Sequence, residues 1–97
     1  MALLTDDDID RWVSEHGGWQ RAGDAITRTV ECPSFPAAIE LVREVAEVAE
    51  SRDHHPDIDI RWRTLHFTLS THSAGGITDK DTELAETIDE LAGRQDG

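Results

Sequence analysis

"AESRDHHPDIDIRW", residues 49–62, marks the place where one backbone pattern stops and another starts. Upstream, Ala38, Ile39, Leu41, Val42, Val45, Ala46, Val48 and Ala49 recur at helical spacing. Downstream, "DIDIRW" and "LHFTLSTH" alternate as strands do, joined tightly around Arg63-Thr64. Pro56 forbids continuation of the helix and biases His55 towards extended backbone. Two of the chain's five histidines stand at this break. In a regular strand adjacent side chains diverge, but at a helix end both imidazoles can project towards one place.

Working outward, Ser34 caps the long helix, Pro36 fits its first turn, and the pattern runs to about Arg52. Its apolar surface is wider than one stripe. Ile39, Val42, Ala46 and Ala49 form one face, and Leu41, Val45 and Val48 a neighbouring one, so the helix is expected to pack on two things at once. In the second downstream strand Leu65, Phe67 and Leu69 face the core. His66, Thr68, Ser70 and His72 form a polar face, the first hint of a site.

Earlier in the chain, Thr5 and Asp8 form a box-like cap, with Leu4 and Ile9 spaced as a hydrophobic staple. Ile9, Trp12 and Val13 give that helix its buried stripe, and Gly17-Gly18 stop it. "WQRAGDAITRTVEC" reads as a hairpin turning at Gly23-Asp24, with Ile26, Arg28 and Val30 on one side. Near the end Thr78 and Asp81 repeat the capping pattern. Leu84, Ile88, Leu91 and Ala92 make the stripe of a last helix, and Gly93 is expected to end it. The order helix, hairpin, helix, hairpin, helix implies an α+β class: a four-stranded antiparallel sheet with three helices packed on one face.

A chain of 97 residues is one domain, here 1–97, with a small core. Oligomerisation is a natural way to bury more surface. The net charge of −12 argues against nucleic acid or an anionic membrane as partner. Cys32 is the only cysteine, so there is no disulfide framework and no thiolate metal cage. The opening "MALLTDDDID" lacks the features of a signal peptide. No apolar run approaches the ~18 residues that span a bilayer. The expectation is a cytoplasmic protein.

His54, His55 and His72 are the candidates for chemistry, because imidazole exchanges protons near neutrality. The plainer alternatives stand beside this. "HHP" after a helix also describes an exposed C-terminal cap, where the dipole favours imidazolium. A three-histidine metal site would need convergent ligands, and no metal-binding spacing is recognisable. Asp81 reads first as a capping residue, and Trp19 as a core or edge aromatic. Glu50 reads as a helix carboxylate able to pair with His54 four residues on.

Glu50, then His54-His55-Pro56, Trp62, His72 and Asp81 at their respective spacings resemble the signature of the pterin-4a-carbinolamine dehydratases. So do "GGW" at 17–19, "STHSAGGIT" at 70–78 and "DTELAETID" at 81–89. The resemblance runs from about Trp19 to Leu91. It implies loss of water from 4a-hydroxytetrahydropterin to give quinonoid dihydropterin, in tetrahydropterin recycling, with no metal or organic cofactor. It implies that His54, His55 and His72 form the site. Asp53, Ser70, Thr71 and Ser73 would line the pterin with them, and Trp19 would help wall the pocket. His54 and His72 would be the acid–base pair and His55 would hold substrate. Glu50 would orient His54, and Asp81 would steady the loop beneath His72. It also implies homodimers through a sheet edge, or tetramers through the long helix. Two rival readings are elimination or hydration on another pterin, as in molybdopterin metabolism, and a non-catalytic dimerisation or assembly factor. The complete histidine set favours an enzyme over the latter.

Overall fold

Asp6–Glu15 form α1 because both of its ends are specified locally. The Thr5 hydroxyl accepts from the Asp8 amide, and the Asp8 carboxylate accepts from the Thr5 amide, closing a reciprocal capping box. Leu4 and Ile9 both join the core, as a staple requires. The helix stops before Gly18, whose φ of 100° is open to glycine at little cost. A Cβ there would meet the Arg28 guanidinium at 3.2 Å. The computed structural model describes residues 2–95.

Strands β1 (Trp19–Ala22) and β2 (Ala25–Glu31) turn on Gly23-Asp24, with Gly23 at φ 61°. Helix α2 (Phe35–Ser51) starts at Ser34, whose hydroxyl accepts from the Ala37 amide. Strands β3 (Asp57–Arg61) and β4 (Thr64–Leu69) follow, and α3 (Asp79–Gln95) ends the described chain. The sheet is antiparallel throughout, in the order β1-β2-β4-β3. Ile26, Val30, Leu65, Phe67 and Leu69 line its inner face and share one buried cluster with Ile9, Leu41, Val45, Leu84 and Ile88 of the three helices. The outer face carries the cross-strand pairs Thr27–Thr68 and Thr29–His66. The α+β architecture expected from the element order is the one observed.

Several local expectations are corrected. The β3–β4 turn is Trp62-Arg63, one residue earlier than expected, because Arg61 pairs with Thr64. Trp62 takes φ 56°, an unusual conformation for a bulky residue, and is 72% exposed. Strand β4 ends at Leu69 and does not reach His72. Its neighbours run out there, since Ile26 faces Leu69 and Asp57 faces Thr68. His72 instead opens a short 3-10 turn, His72–Ala74. Helix α3 passes through Gly93 to Gln95. A glycine inside a helix costs only about 1 kcal/mol. Arg94 pairs with Glu90, and Gln95 donates to the Ala37 carbonyl of α2, which holds this last turn.

The two apolar faces of α2 also divide differently. Ala38, Leu41, Val45 and Ala49 are buried. Phe35, Ile39 and Ala46 form an outward stripe, with Phe35 48% and Ile39 42% exposed, and Val42 is half-buried against the core. Ala49 belongs to the inner face because it stands four residues after Val45 and eleven after Ala38, on the same side of the helix.

Leu41 is fully buried in the cluster. Leu41→Ala is expected to cost about 2–5 kcal/mol, read as a fall in the urea midpoint.

Candidate active site

The end of α2 builds the first wall of the site. The Asp53 amide donates to the Glu50 carbonyl at 3.1 Å, and the His54 amide donates to the Ala49 carbonyl at 3.0 Å. With Asp53 at φ 50°, this is a Schellman cap that has aspartate where glycine is usual. It turns the chain sharply, and Pro56 then commits it to β3. His54 goes inward and is 8% exposed, whereas His55 stays outside.

The second wall is the exit of β4. The Thr71 amide donates to the Gly76 carbonyl at 2.8 Å, and Gly75 closes the turn at φ 78°. The Ser70 hydroxyl donates to the Asp24 carbonyl at the tip of the first hairpin. Thr71 is buried, and His72 and Ser73 are exposed.

Asp81 joins the two walls. It is 0% exposed. One carboxylate oxygen lies 2.6 Å from His54 Nε2. The other accepts from the Thr71 hydroxyl at 2.8 Å and from the Thr78 amide at 2.9 Å. A carboxylate only accepts, which assigns the proton to His54 Nε2 and leaves Nδ1 as the free acceptor of the neutral ring. Thr71 and Thr78 hydroxyls share a further bond of 2.7 Å.

Between these walls lies a cleft of about 430 Å³ lined by residues 53–57, residues 70–73 and Lys80. His54, His55 and His72 all face it, together with Asp53, Ser70, Thr71 and Ser73. Asp57 and Lys80 also line it, and sequence reasoning passed over both. The signals were an aspartate directly after "HHP" and the chain's one lysine.

Three placements depart from expectation. Trp19 is not among the residues lining this cleft. It is 2% exposed in the core, and its indole N–H donates to Asp89 at 2.8 Å, where Arg28 also binds. Glu50 pairs with His55 Nε2 at 2.7 Å and not with His54, because the helix cap turns His54 inward. The polar outer face of the sheet, with Thr27, Thr29, His66 and Thr68, does not line this cleft. His66 bonds Thr29 there at 2.7 Å, outside the cleft lining. Among the described residues no group of three or more His, Cys, Asp or Glu is arranged to hold a metal ion. None of their helices is long and apolar enough to cross a membrane.

Comparison with known proteins identifies the fold and the family. A solved transcriptional coactivator/pterin dehydratase from Brucella melitensis superposes with a TM-score of 0.91 at 31% identity, covering 95% of this chain and 100% of that one. A pterin dehydratase-like RuBisCO assembly factor of the alpha-carboxysome shares the fold, with a TM-score of 0.68 at 21% identity over 80% of this chain and 93% of that one. The fold is thus that of the pterin dehydratases. Residues 2–91 match the family profile described as pterin 4 alpha carbinolamine dehydratase. A protein of Mycobacterium sp. (strain KMS) is 58% identical over 94 residues, covering 97% of this chain and 100% of its own. One of Nocardia farcinica (strain IFM 10152) is 61% identical over 90 residues, covering 93% and 95%. Both bear the name pterin-4-alpha-carbinolamine dehydratase provisionally. The chain belongs to the pterin-4a-carbinolamine dehydratase family, a family of hydro-lyases.

Removing Asp81 takes the acceptor from His54 Nε2 and from the Thr78 amide, and leaves the Thr71 hydroxyl only the Thr78 hydroxyl to bond. Asp81→Ala is expected to cost about 3–5 kcal/mol, whereas Glu50→Ala, which breaks only an exposed pair, is expected to cost under about 1 kcal/mol. Urea titration of the two variants side by side checks the contrast.

Proposed function

We propose that this chain dehydrates 4a-hydroxytetrahydropterin to quinonoid dihydropterin, by histidine acid–base catalysis in tetrahydropterin recycling. The observation that carries the reading is the meeting of His54, His55 and His72 around one cleft, with a buried carboxylate behind His54.

The reaction breaks the C4a–OH bond, and the departing oxygen takes a proton and leaves as water. The ring nitrogen N5 gives up its proton, and its electron pair closes the C4a=N5 double bond. One group must therefore supply a proton while another removes one. In our reading His54 is the base. Its Nε2–H is held by Asp81, so Nδ1 is available, and the carboxylate stabilises the imidazolium that forms. His72, exposed at the opposite wall, is the acid that protonates the hydroxyl. His55, oriented by Glu50, holds substrate. Asp53, Ser70, Thr71 and Ser73 complete the polar lining, and no metal or organic cofactor enters the scheme. We place the protein in the cytoplasm.

We also propose that the chain works as a homo-oligomer. The stripe Phe35, Ile39 and Ala46 leaves apolar surface on α2 that a second copy would cover. The fold-sharing protein that acts as a RuBisCO assembly factor is a reminder that this architecture also serves in assembly. The complete histidine set favours the enzyme here.

Purified protein is expected to accelerate formation of the quinonoid product, followed by its absorbance. His72→Ala and His54→Gln are each expected to lower the rate by about 10²–10⁴-fold. His72→Ala should unfold at the wild-type urea concentration, since its ring is exposed. Full activity in both variants would remove the assignment, and inactivity of the wild type would remove the reaction. Ile39→Asp is expected to lower the sedimenting mass towards that of one chain, 10.8 kDa.

A further inference from the structure

Lys80 is the only lysine in the chain, and it lines the cleft. It is half-buried. Its backbone amide bonds the Thr78 hydroxyl at 3.3 Å. Among the described residues its ammonium has no partner, although Asp53 and Asp57 line the same cleft and Asp79 and Asp81 flank it in the chain. An unpaired lysine is ordinarily a solvated surface residue. This one sits inside a concave wall. It also stands in the first turn of α3, where the helix dipole disfavours a cation. Nothing in the folding of α3 calls for it.

We infer that Lys80 is a substrate-binding residue whose ammonium donates to the 4-oxo oxygen of the bound pterin. The inference rests on the dehydratase reading above and narrows it. The substrate's own connectivity supports it. C4a, which carries the departing hydroxyl, is bonded both to N5 and to the carbonyl carbon C4. The hydroxyl, the N5 proton and the 4-oxo oxygen therefore lie along one edge of the bicycle. Lys80 lines the same cleft as the three imidazoles, so on this reading its ammonium serves that oxygen.

Continuing round the ring, N3–H and the 2-amino group follow the 4-oxo oxygen as donors. Asp53 and Asp57, in the same lining, are acceptors. One ammonium and two carboxylates thus match one acceptor followed by two donors. An anionic substituent would match poorly, because it would meet two carboxylates and one ammonium. The cleft on this account reads the neutral pyrimidinone edge, and Lys80 distinguishes a 4-oxo from a 4-amino ring.

The test compares two non-reacting probes, 7,8-dihydropterin and 2,4-diamino-7,8-dihydropteridine, titrated calorimetrically against wild type, Lys80→Met and Lys80→Arg. Lys80→Met is expected to weaken 7,8-dihydropterin by about 10–100-fold, the effect of one hydrogen bond from a charged donor. The diamino compound should be unchanged or improved. Lys80→Arg should restore most of the affinity for 7,8-dihydropterin. In turnover, KM should rise with kcat within a few-fold, and the melting temperature of Lys80→Met should not fall. If Lys80→Met binds 7,8-dihydropterin like wild type, or weakens both probes equally, the inference is overturned. Lys80-dependent binding without dehydration by wild type would keep it and remove the proposed reaction. Dehydration indifferent to Lys80 would do the reverse. A wild type that binds no 7,8-dihydropterin would remove both.

Discussion

A single buried carboxylate holds the site to the fold. Asp81 accepts from His54, from the Thr71 hydroxyl and from the Thr78 amide, and it is sealed from solvent. Those three donors come from three different departures of the chain: the exit of α2, the exit of β4 and the entry to α3. A carboxylate in the interior is tolerable only when its lone pairs are used, and here they are. The requirement runs both ways. Asp81 satisfies the Thr78 amide at the helix start, and Asp81 is tolerable only if the two walls of the cleft deliver His54 and Thr71 to it. Architecture and candidate chemistry are therefore one constraint.

The rest of the molecule supplies the rigid backing. Leu65, Phe67 and Leu69 present a continuous apolar row to the helices, and Leu41, Val45, Leu84 and Ile88 meet it. The sheet's outer face stays polar, with Thr27, Thr29, His66 and Thr68. The cleft lies on neither face. It occupies the end of the sheet, where β3 begins and β4 ends, so its residues sit on short segments anchored at both sides by regular structure. Loop residues placed this way are exposed to ligand without being loose.

Much of this was legible in the sequence because the signals are local. The Thr5 and Ser34 caps, the Gly23-Asp24 turn, the alternation of Leu65, Phe67 and Leu69 and the proline after "HH" each act within a few residues, and each appears where its pattern placed it. Grouping of the three histidines with residues 53 and 70–73 followed from family likeness, and spacing alone did not contain it. What escaped is of another kind. The partner of His54 lies 27 residues away, whereas Glu50, four residues away, was the obvious candidate on a helix. The Schellman cap rotates His54 out of Glu50's reach, and that rotation is set by Asp53 in a left-handed conformation. His72 left the strand because neighbouring strands ended, which is a property of pairing and not of its own segment. Trp19 packs in the core and its indole N–H finds Asp89, 70 residues distant.

The distribution of cations has a practical corollary. Eight of the nine basic residues are arginines, and the ninth lies at the cleft. A reagent selective for primary amines therefore finds, among the side chains of these 97 residues, one target only. A fluorophore or crosslinker attached through that nitrogen would report from the mouth of the cavity, with no engineering of the chain. Its protection by an occupant would be a direct optical measure of whether the cavity is filled.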